Sequence, residues 1–561
     1  MGYLWFVRNA CWKCHVNEDK EKLKLSSLEI TTMYKIYGVL FVFVSIFEIS
    51  SAFSPANYTS CDTKDFGHGI VCVCSEQHCD HFDDGGTSSP LKAGQYAVYT
   101  SSKAGARFNL TLGVFNDKLL DAEDGVTTLT LNESVVYQSI LGFGGAFTDA
   151  ATINIKSLSS TLQEMLLSSY YSVHGIEYNV GRIPIASCDF STREYSYDDF
   201  PGDFGLSNFS LAKEDLDFKI PLMKLAIKMS GKREILFFGS PWSAPAWMKT
   251  NGKMTGFGQL KGKAGDKYHK TWAMYFAKFI KAYKDSGIKI WGVTVQNEPS
   301  DGFLPGFSFQ CMGFSPEAER DFIKLDLGPT LTQEGYKDVK IIILDDQRLF
   351  VDNWAKTILS DPDAAKYVSG IAVHWYWDWL TPASYLTKAH NKFPNYFMFA
   401  TEACTGSGTG PVTSPRGVVL GDWHRGERYS SNIIEDLSNW VVGWVDWNLA
   451  LNMNGGPNWV KNFVDAPIVV DSQNKVFYKQ PMFYHLGHFT KFIPRGSKRI
   501  SVVSAEKTSL EFIGFVTPES TKVIVILNKE DKPMSIEIID PKQGKISAVI
   551  AASSIQTYLW N

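Results

Sequence analysis

Between residues 141 and 451 the chain alternates short apolar runs with longer amphipathic stretches. Several of the runs are apolar at consecutive positions, which is typical of strands buried on both faces of a parallel sheet. Eight such runs separated by helical stretches predict an α/β fold, the (β/α)8 or TIM barrel. The expected strands cover residues 141–149, 177–187, 234–241, 288–298, 339–346, 370–376, 395–402 and 443–451.

On both sides of this region the alternation changes to a period of two. That period is typical of antiparallel strands with one buried face. No helical stretch follows about residue 497, so we expect a single β-sandwich built from both ends of the chain. Its expected strands cover residues 95–100, 107–113 and 126–132 before the barrel, and 509–517, 522–528, 534–539, 546–551 and 555–560 after it.

One further apolar run covers residues 36–47, after Met33 and Lys35 and before the small residues 50–52. It is too short to span a bilayer at 1.5 Å per residue, and it suits the apolar region of a signal peptide. We therefore expect a signal peptide that starts at Met33 within an N-terminal extension, residues 1–52. A type II membrane anchor is the alternative. Three other domains are expected. Residues 53–94 form a disulfide-stapled segment, residues 95–135 and 492–561 form the β-sandwich, and residues 136–491 form the barrel.

The composition restricts the class of protein and its compartment. Of 561 residues, 44% are hydrophobic and 20% are charged, which excludes a largely disordered chain. The formal net charge is −4, so no basic surplus indicates nucleic acid as a partner. Four sequons suit a secretory route and glycosylation, at Asn57, Asn109, Asn132 and Asn208.

Four of the nine cysteines lie together just after the expected cleavage site, at Cys61, Cys72, Cys74 and Cys79. In an exported chain they indicate two local disulfides, most simply Cys61–Cys72 and Cys74–Cys79. A zinc knuckle is the alternative for this cluster.

Two glutamates indicate the chemistry. Glu298 ends the fourth expected strand and Glu402 ends the seventh, and these two strands face each other across a barrel whose active site lies at the strands' carboxyl ends. Cleaving a glycosidic bond needs one carboxylic acid that protonates the leaving oxygen and one carboxylate that attacks the anomeric carbon, about 5–5.5 Å apart in retaining enzymes. For each glutamate alone, a structural ion pair is the alternative.

Other residues of types that bind sugars lie near the ends of the expected strands. Asp149 can accept hydrogen bonds from two adjacent hydroxyls, and Asn297 can bond the hydroxyl beside the reacting carbon. For each such residue a structural role is the alternative. The remaining candidates are Trp242 and Trp447 as stacking platforms, and Asn462, Arg182, His374 and Tyr376 around them. The chain holds no HExxH motif, no P-loop and no G-x-S-x-G elbow. The sequence therefore gives little support to other hydrolytic mechanisms or to nucleotide chemistry.

Several longer motifs resemble the lysosomal acid glucosylceramidases of glycoside hydrolase family 30. The likeness runs almost without a break from Cys61 to Trp560. The motifs are GFGGAFTDA (142–150), SPWSAPAWMKTNG (240–252), QNEP (296–299), HWY (374–376), EAC (402–404), GWVDWNLA (443–450), GGPNW (455–459) and KQPMFYHLGHF (479–489).

The resemblance implies a retaining β-glucosidase that hydrolyses glucosylceramide to glucose and ceramide. It implies that Glu298 is the general acid/base and Glu402 the nucleophile. It also implies the two disulfides, the lysosomal lumen and a saposin-type activator protein, while no metal or cofactor is implied. In an acidic compartment histidines would protonate and some carboxylates would be neutralised, which favours approach to an anionic lipid membrane surface. The glucose unit would be bound by Asp149, Trp242, Asn297, Trp447 and Asn462.

The chain departs from the mammalian pattern at its expected cavity mouth. Phe307 stands where mammalian enzymes tend to carry tyrosine, the loop 405–418 differs in length, and Trp377 and Trp379 add aromatic surface that could rest on a membrane. Two alternatives remain: a secreted β-glycosidase for soluble glycosides, and a catalytically inactive glycolipid-binding homologue.

Overall fold

The computed structural model of the protein describes residues 55–83, 91–116, 125–408 and 415–561. The expected signal peptide and N-terminal extension lie outside the described residues, as do positions 409–414 of the loop 405–418.

Strands and helices alternate through the middle of the chain, and strands alone follow residue 497. The strands are β1 (Thr63–Asp65), β2 (Ile70–Cys74), β3 (Gln95–Ser102), β4 (Asn109–Val114), β5 (Thr127–Ser139), β6 (Gly142–Ala146), β7 (Val180–Ile185), β8 (Leu236–Pro241), β9 (Ile290–Thr294), β10 (Lys340–Gln347), β11 (Val368–His374), β12 (Phe397–Glu402), β13 (Val441–Asn448), β14 (Leu451–Asn452), β15 (Ile468–Asp471), β16 (Val476–Lys479), β17 (Lys498–Ser504), β18 (Glu511–Val516), β19 (Lys522–Asn528), β20 (Met534–Asp540), β21 (Gly544–Ile550) and β22 (Ser554–Trp560). The α-helices are α1 (Asp149–Lys156), α2 (Ser160–Tyr171), α3 (Ile220–Ser230), α4 (Lys267–Asp285), α5 (Pro316–Phe322), α6 (Gly328–Gln333), α7 (Val351–Leu359), α8 (Pro362–Ala365), α9 (Ser384–Lys392), α10 (Trp423–Ser438) and α11 (Pro481–Thr490).

The strands β6 to β13 form a closed parallel barrel, in which β13 pairs with β6. Phe238 and Phe399 fill its interior, with ring centroids 5.7 Å apart. A filled interior leaves the chemistry to the open end of the barrel, where the strands' carboxyl ends and the βα loops lie. The expected (β/α)8 barrel is confirmed, with every expected run contributing one strand.

The strands before and after the barrel join in one nine-stranded sheet, in the order β21-β20-β5-β17-β18-β19-β22-β3-β4. Its own apolar core includes Leu129, Ile524 and Trp560, and the indole nitrogen of Trp560 donates to Asp540 Oδ2 at 2.7 Å. The expectation that both ends of the chain build one accessory β-domain is therefore confirmed.

A third sheet, in the order β1-β2-β16-β15-β14, joins the cysteine-rich segment to the chain beyond the barrel. The sequence did not predict this sheet. It carries the disulfides Cys61–Cys72 and Cys74–Cys79. Because all four sulfur atoms are used in these bonds, the structure rules out the zinc knuckle.

The long helix α4 shows how the helices attach to the barrel. Asp266 caps its first turn by accepting a hydrogen bond from the backbone N–H of Tyr268 at 2.9 Å. Trp272, Phe276 and Phe279 recur at helical spacing and are fully buried, so this face packs on the barrel.

Two features of the described chain relate to the expected secretory route: the exposure of the sequons and the length and polarity of the helices. The four sequon asparagines, Asn57, Asn109, Asn132 and Asn208, are all exposed, so each can be reached by a glycosylating enzyme. Among the described residues, no helix combines the length and the apolar character that crossing a bilayer requires.

Candidate active site

A cavity of about 310 Å³ opens at the carboxyl ends of the barrel strands. Its volume is at the lower end of the range of small-molecule sites, which is about 300–1,000 Å³. Glu298 and Glu402 both line it. The sequence predicted that these two carboxylates would meet, and the barrel brings them together from strands β9 and β12.

Glu402, the last residue of β12, is held by two donors. The Arg182 guanidinium on β7 forms an ion pair with Oε2 through Nη1. The Tyr376 hydroxyl donates to Oε1 at 2.6 Å. With both oxygens bound, the carboxylate has a fixed direction in the cavity.

Glu298 lies four residues beyond β9 and is held by a different set of donors. Gln347 Nε2 donates to its Oε1 at 2.9 Å, and His374 Nδ1 lies 3.1 Å from the same oxygen. Both contacts involve Oε1, and the side chain of Asp301 forms a further hydrogen bond with this carboxyl group.

Asp345, which lies between these groups, connects them. Its Oδ2 accepts from Arg182 Nη2 at 2.9 Å, and its Oδ1 lies 3.1 Å from His374 Nε2. Thr401 and Thr294 donate to the same carboxylate at 2.7 and 2.6 Å. The buried carboxylate therefore fixes the orientation of the two cations that hold the glutamates.

These charges set the protonation of the site. Burial lowers the pKa of His374, but the charge of Glu402 and the hydrogen bonds to Asp345 and Glu298 outweigh it and raise that pKa to about 10. Burial opposes the ionisation of Asp345, yet Arg182 and His374 hold its pKa well below its ordinary range. The raised pKa favours the imidazolium form of His374, in which both ring nitrogens donate.

The acidic groups around the cavity influence one another's protonation. Burial and the charge of Glu298 raise the pKa of Glu402, against the pull of Arg182 and His374. Burial also acts on Glu298, but its bond to His374 and the charge of that ring lower its pKa. The side chain of Asp301 is also hydrogen-bonded to Glu298, and burial together with the charge of Glu298 raises the pKa of Asp301 well above its usual range.

One wall of the cavity is aromatic. The rings of Trp242 and Trp447 stack with centroids 5.1 Å apart, and the Arg182 guanidinium lies 5.0 and 5.3 Å from the two rings. Both tryptophans line the cavity, as expected for platforms against the apolar face of a sugar ring.

A second wall is polar and contains Asp189 and Asn462. Asp189 Oδ2 accepts from Asn458 Nδ2 at 3.0 Å and from Asn462 Nδ2 at 3.1 Å. Burial raises the pKa of Asp189 to about 7, while these amides oppose the shift. This aspartate can accept from sugar hydroxyls or, when protonated, donate to them.

Asp149, the aspartate expected to bind sugar, does not line the cavity. It is the first residue of α1, and its Oδ1 lies 3.1 Å from Lys219 Nζ. Its Oδ2 accepts from Ser191 and Tyr195 at 2.6 and 2.8 Å. Through these bonds Asp149 holds the loop after β7 that presents Asp189, and its expected role in binding sugar stays a prediction.

The other expected residues take up two positions. Tyr376 lines the cavity, whereas Arg182, His374 and Asn297 lie behind the lining side chains. Asn297 Oδ1 accepts from Arg182 Nη2 at 2.8 Å, so its NH₂ group is the part that can donate to a ligand. The sequence analysis missed Asp189, Asp345 and Gln347 as site residues, although polar residues at strand ends were the signal that could have found them.

Comparison with known proteins gives consistent results along the chain. The family model of the glycosyl hydrolase family 30 TIM-barrel domain matches residues 140–493, and that of the family 30 beta sandwich domain matches residues 496–558. Lysosomal acid glucosylceramidase of Mus musculus is 50% identical over 502 residues, which cover 89% of this chain and 95% of the mouse protein. Putative glucosylceramidase 4 of Caenorhabditis elegans is 43% identical over 494 residues, covering 88% and 92% of the two chains.

A solved structure agrees with the fold. SrfJ from Salmonella typhimurium matches with a TM-score of 0.75 at 27% identity, covering 83% of this chain and 99% of that chain.

Proposed function

This chain belongs to glycosyl hydrolase family 30, and we propose that, as a glycoside hydrolase of this family, it hydrolyses glucosylceramide to glucose and ceramide with retention of configuration. The observation that carries the proposal is the single cavity in which Glu298 and Glu402 meet. The 50% identity to a protein named lysosomal acid glucosylceramidase supports the choice of substrate.

In the first step the Glu402 carboxylate attacks the anomeric carbon while the bond from that carbon to the ceramide oxygen breaks. Glu298 gives its proton to the departing oxygen, so ceramide leaves as a neutral alcohol. Positive charge that develops at the anomeric carbon favours the ionised state of Glu402, and Glu298 reacts in its protonated state. Gln347 and His374 hold Glu298 Oε1 and so fix the direction of the carboxyl group that delivers the proton.

In the second step water replaces ceramide. The Glu298 carboxylate takes a proton from the water, whose oxygen attacks the anomeric carbon, and the bond to Glu402 breaks. Glucose is released, and both carboxyl groups return to their first state. Arg182 stabilises the carboxylate that leaves, because its guanidinium is already paired with Oε2 of Glu402.

The glucose unit fits between the aromatic and the polar wall. Trp242 and Trp447 would pack against its ring, and Asp189 with Asn462 would bond its hydroxyls. Asn297 would donate from its NH₂ group to the hydroxyl next to the anomeric carbon, since Arg182 already occupies its carbonyl oxygen.

The lipid part of the substrate favours work at a membrane surface, and the similarity to a protein named lysosomal acid glucosylceramidase supports the lysosomal lumen as the compartment. Exposed apolar side chains next to the cavity support work at a membrane: Trp377 lines the cavity, and Trp379 and Leu380 are 57% and 61% exposed. Such a patch suits peripheral contact with anionic lipid. A saposin-type activator would present the glycolipid there.

The catalytic roles are tested with Glu402→Gln and Glu298→Ala on an activated aryl β-glucoside. We expect Glu402→Gln to lower kcat by at least about 10³-fold, because no group replaces the nucleophile. With Glu298→Ala, added azide should restore turnover and yield the β-glucosyl azide, seen by NMR. Glu427→Gln, a buried carboxyl on α10 away from the cavity, is the control. Near-normal turnover by Glu402→Gln, or an α-glucosyl azide, would overturn the assignment.

The substrate and membrane roles need a second comparison. Glucosylceramide hydrolysis is measured in anionic and in neutral vesicles, beside a soluble aryl glucoside. Trp379→Ala should weaken the response to anionic vesicles and leave the soluble substrate unaffected, whereas Leu112→Ala, exposed on the accessory sheet, should change neither. Equal rates in the two kinds of vesicle would contradict the membrane role.

A further inference from the structure

We infer that Arg348 and the carboxyl groups of Asp378 and Asp436 position the cavity segment 375–381, and that this positioning holds in acid and weakens toward neutral pH. The inference rests on the proposed function, because the segment is argued to orient the two glutamates for hydrolysis.

The segment 375–381 follows β11 and reaches both glutamates. Tyr376 donates its hydroxyl to Glu402 Oε1 at 2.6 Å. The backbone N–H of Trp377 donates to Gln347 Oε1 at 3.1 Å, and Gln347 Nε2 donates in turn to Glu298 at 2.9 Å. A shift of this one segment would therefore change the setting of both carboxylates.

Arg348 connects the segment 375–381 to the barrel through hydrogen bonds. It follows Gln347 in the chain and is buried. Its Nε donates to the carbonyl oxygen of Thr381 at 2.7 Å and its Nη2 to that of Asp378 at 2.8 Å. Its Nη1 donates to Glu435 Oε2 on α10 at 2.8 Å. One guanidinium thus joins the end of β10, the segment and a neighbouring helix.

Arg348 carries one positive charge, but three carboxyl groups surround it. Oxygens of Asp378, Glu435 and Asp436 lie within 4.8 Å of one another. Arg348 Nε lies 2.9 Å from Asp378 Oδ1, and its Nη1 lies 3.5 Å from Asp436 Oδ1. Asn432 also donates to Asp378, at 2.9 Å. Three ionised carboxylates around one cation would repel, and a proton held between the two buried ones relieves this.

The titration of the pair follows from its burial. Burial and the charge of Asp436 raise the pKa of Asp378 well above its usual range. Burial raises the pKa of Asp436 to about 7, with Glu435 adding to the shift and Arg348 opposing it. A carboxyl whose pKa is raised in the folded protein stabilises it fully below the ordinary pKa of about 3.9, and this contribution is lost as the pH rises through 7.

The other charged groups that face this cluster do not neutralise its excess negative charge in place of the proton. Arg428 and Glu511 line the adjoining groove. Arg428 lies over the ring of Trp375 at 5.1 Å, and Glu511 is paired with Lys529.

The test is the pH profile of Asp436→Asn, whose amide resembles the protonated acid in shape and charge. We expect kcat/KM for an aryl β-glucoside at pH 7, relative to pH 5, to rise at least about threefold over the unmodified protein, since a titrating group accounts for up to tenfold per pH unit. Asp378→Asn should act in the same direction. Asp352→Asn, an exposed carboxyl on α7 paired with Lys392, is the control for charge.

The direction in which the alkaline limb of the pH profile moves distinguishes a positioning role from a simple charge effect. Removing a negative charge near a general acid lowers the pKa of that acid and moves the alkaline limb to lower pH, whereas the positioning role moves it to higher pH. An alkaline limb that stays in place or moves down would overturn the inference. Thermal unfolding at both pH values gives a second readout: the Tm of the unmodified protein should fall from pH 5 to pH 7 by more than that of Asp436→Asn. If the unmodified protein hydrolyses no β-glucoside at any pH, the proposed function fails, while the Tm comparison still tests the carboxyl pair.

Discussion

The Tyr376 hydroxyl offers a sharp test of how the site holds its nucleophile. It donates to Glu402 Oε1 at 2.6 Å, while Arg182 holds the other oxygen. Tyr376→Phe removes this donor and keeps the ring, so the perturbation is confined to the hydroxyl, which also lies 3.4 Å from Cys404 Sγ.

The expected size of the effect comes from the charge on the acceptor. A hydrogen bond to a charged group contributes about 1.5–3 kcal/mol. If that energy orients Glu402 in the transition state, kcat/KM falls about 10- to 150-fold, at 1.36 kcal/mol for each tenfold. The Tyr376 hydroxyl also lowers the pKa of Glu402, so its loss raises that pKa. Because only ionised Glu402 attacks, the acid limb of the pH profile should move to higher pH.

The assay is kcat/KM for a fluorogenic β-glucoside across the acid range, beside the Tm of each variant. Tyr283→Phe is the matched control, because its buried hydroxyl donates to Asp215 Oδ1 at 2.6 Å, away from the cavity. Both variants should lose some stability, but only Tyr376→Phe should lose activity and shift the acid limb. A Tyr376→Phe enzyme within about twofold of normal kcat/KM, with its acid limb in place, would refute the reasoning.

Three more predictions follow from the buried charges and the disulfides. Arg182→Gln should lower the free energy of unfolding by about 3–5 kcal/mol, measured in urea, because it leaves buried carboxylates uncompensated. Asp189→Asn should weaken binding of a glucose-like inhibitor in calorimetry, since the Asp189 side chain lines the cavity. Replacing Cys61 and Cys72 by alanine should cost about 2–4 kcal/mol of stability and lower Tm, with activity at 25 °C retained.

The barrel was predictable from the sequence because its strands are buried on both faces. The expected runs 234–241 and 395–402 contain β8 and β12, which begin two residues later and end at the same residues. The small third sheet was not predictable in this way. Its strand β14 has two residues, and β2 pairs with β16 from about 400 residues further along the chain. So short a strand has no period to detect, and no local pattern specifies a partner so distant in sequence.

The sequence could predict those features of the site that follow from barrel topology alone. It could not predict the features that depend on the direction of a side chain. Barrel geometry brings the ends of β9 and β12 to one edge, so Glu298 and Glu402 had to approach each other. Asp149 and Asp189 both follow a barrel strand, and the sequence does not distinguish them. Asp149 begins a helix and its carboxylate contacts Lys219, whereas Asp189 lies in a loop and lines the cavity. The first turn of α1 therefore decided which aspartate lines the cavity.

The backbone at the centre of the site explains why its final geometry lies beyond sequence patterns. Glu298, Leu344 and Asp345 have φ angles of 39°, 73° and 56°, in the left-handed region that side chains with a Cβ rarely adopt. The backbone N–H of Glu298 donates to the carbonyl oxygen of Asp345 at 2.9 Å, so the two strained segments support each other. Each such residue costs of order 1–3 kcal/mol and persists only where its surroundings determine it. Here the surroundings are the ion pairs of Asp345 with Arg182 and His374, so the charges that orient the glutamates also maintain the backbone from which Glu298 projects.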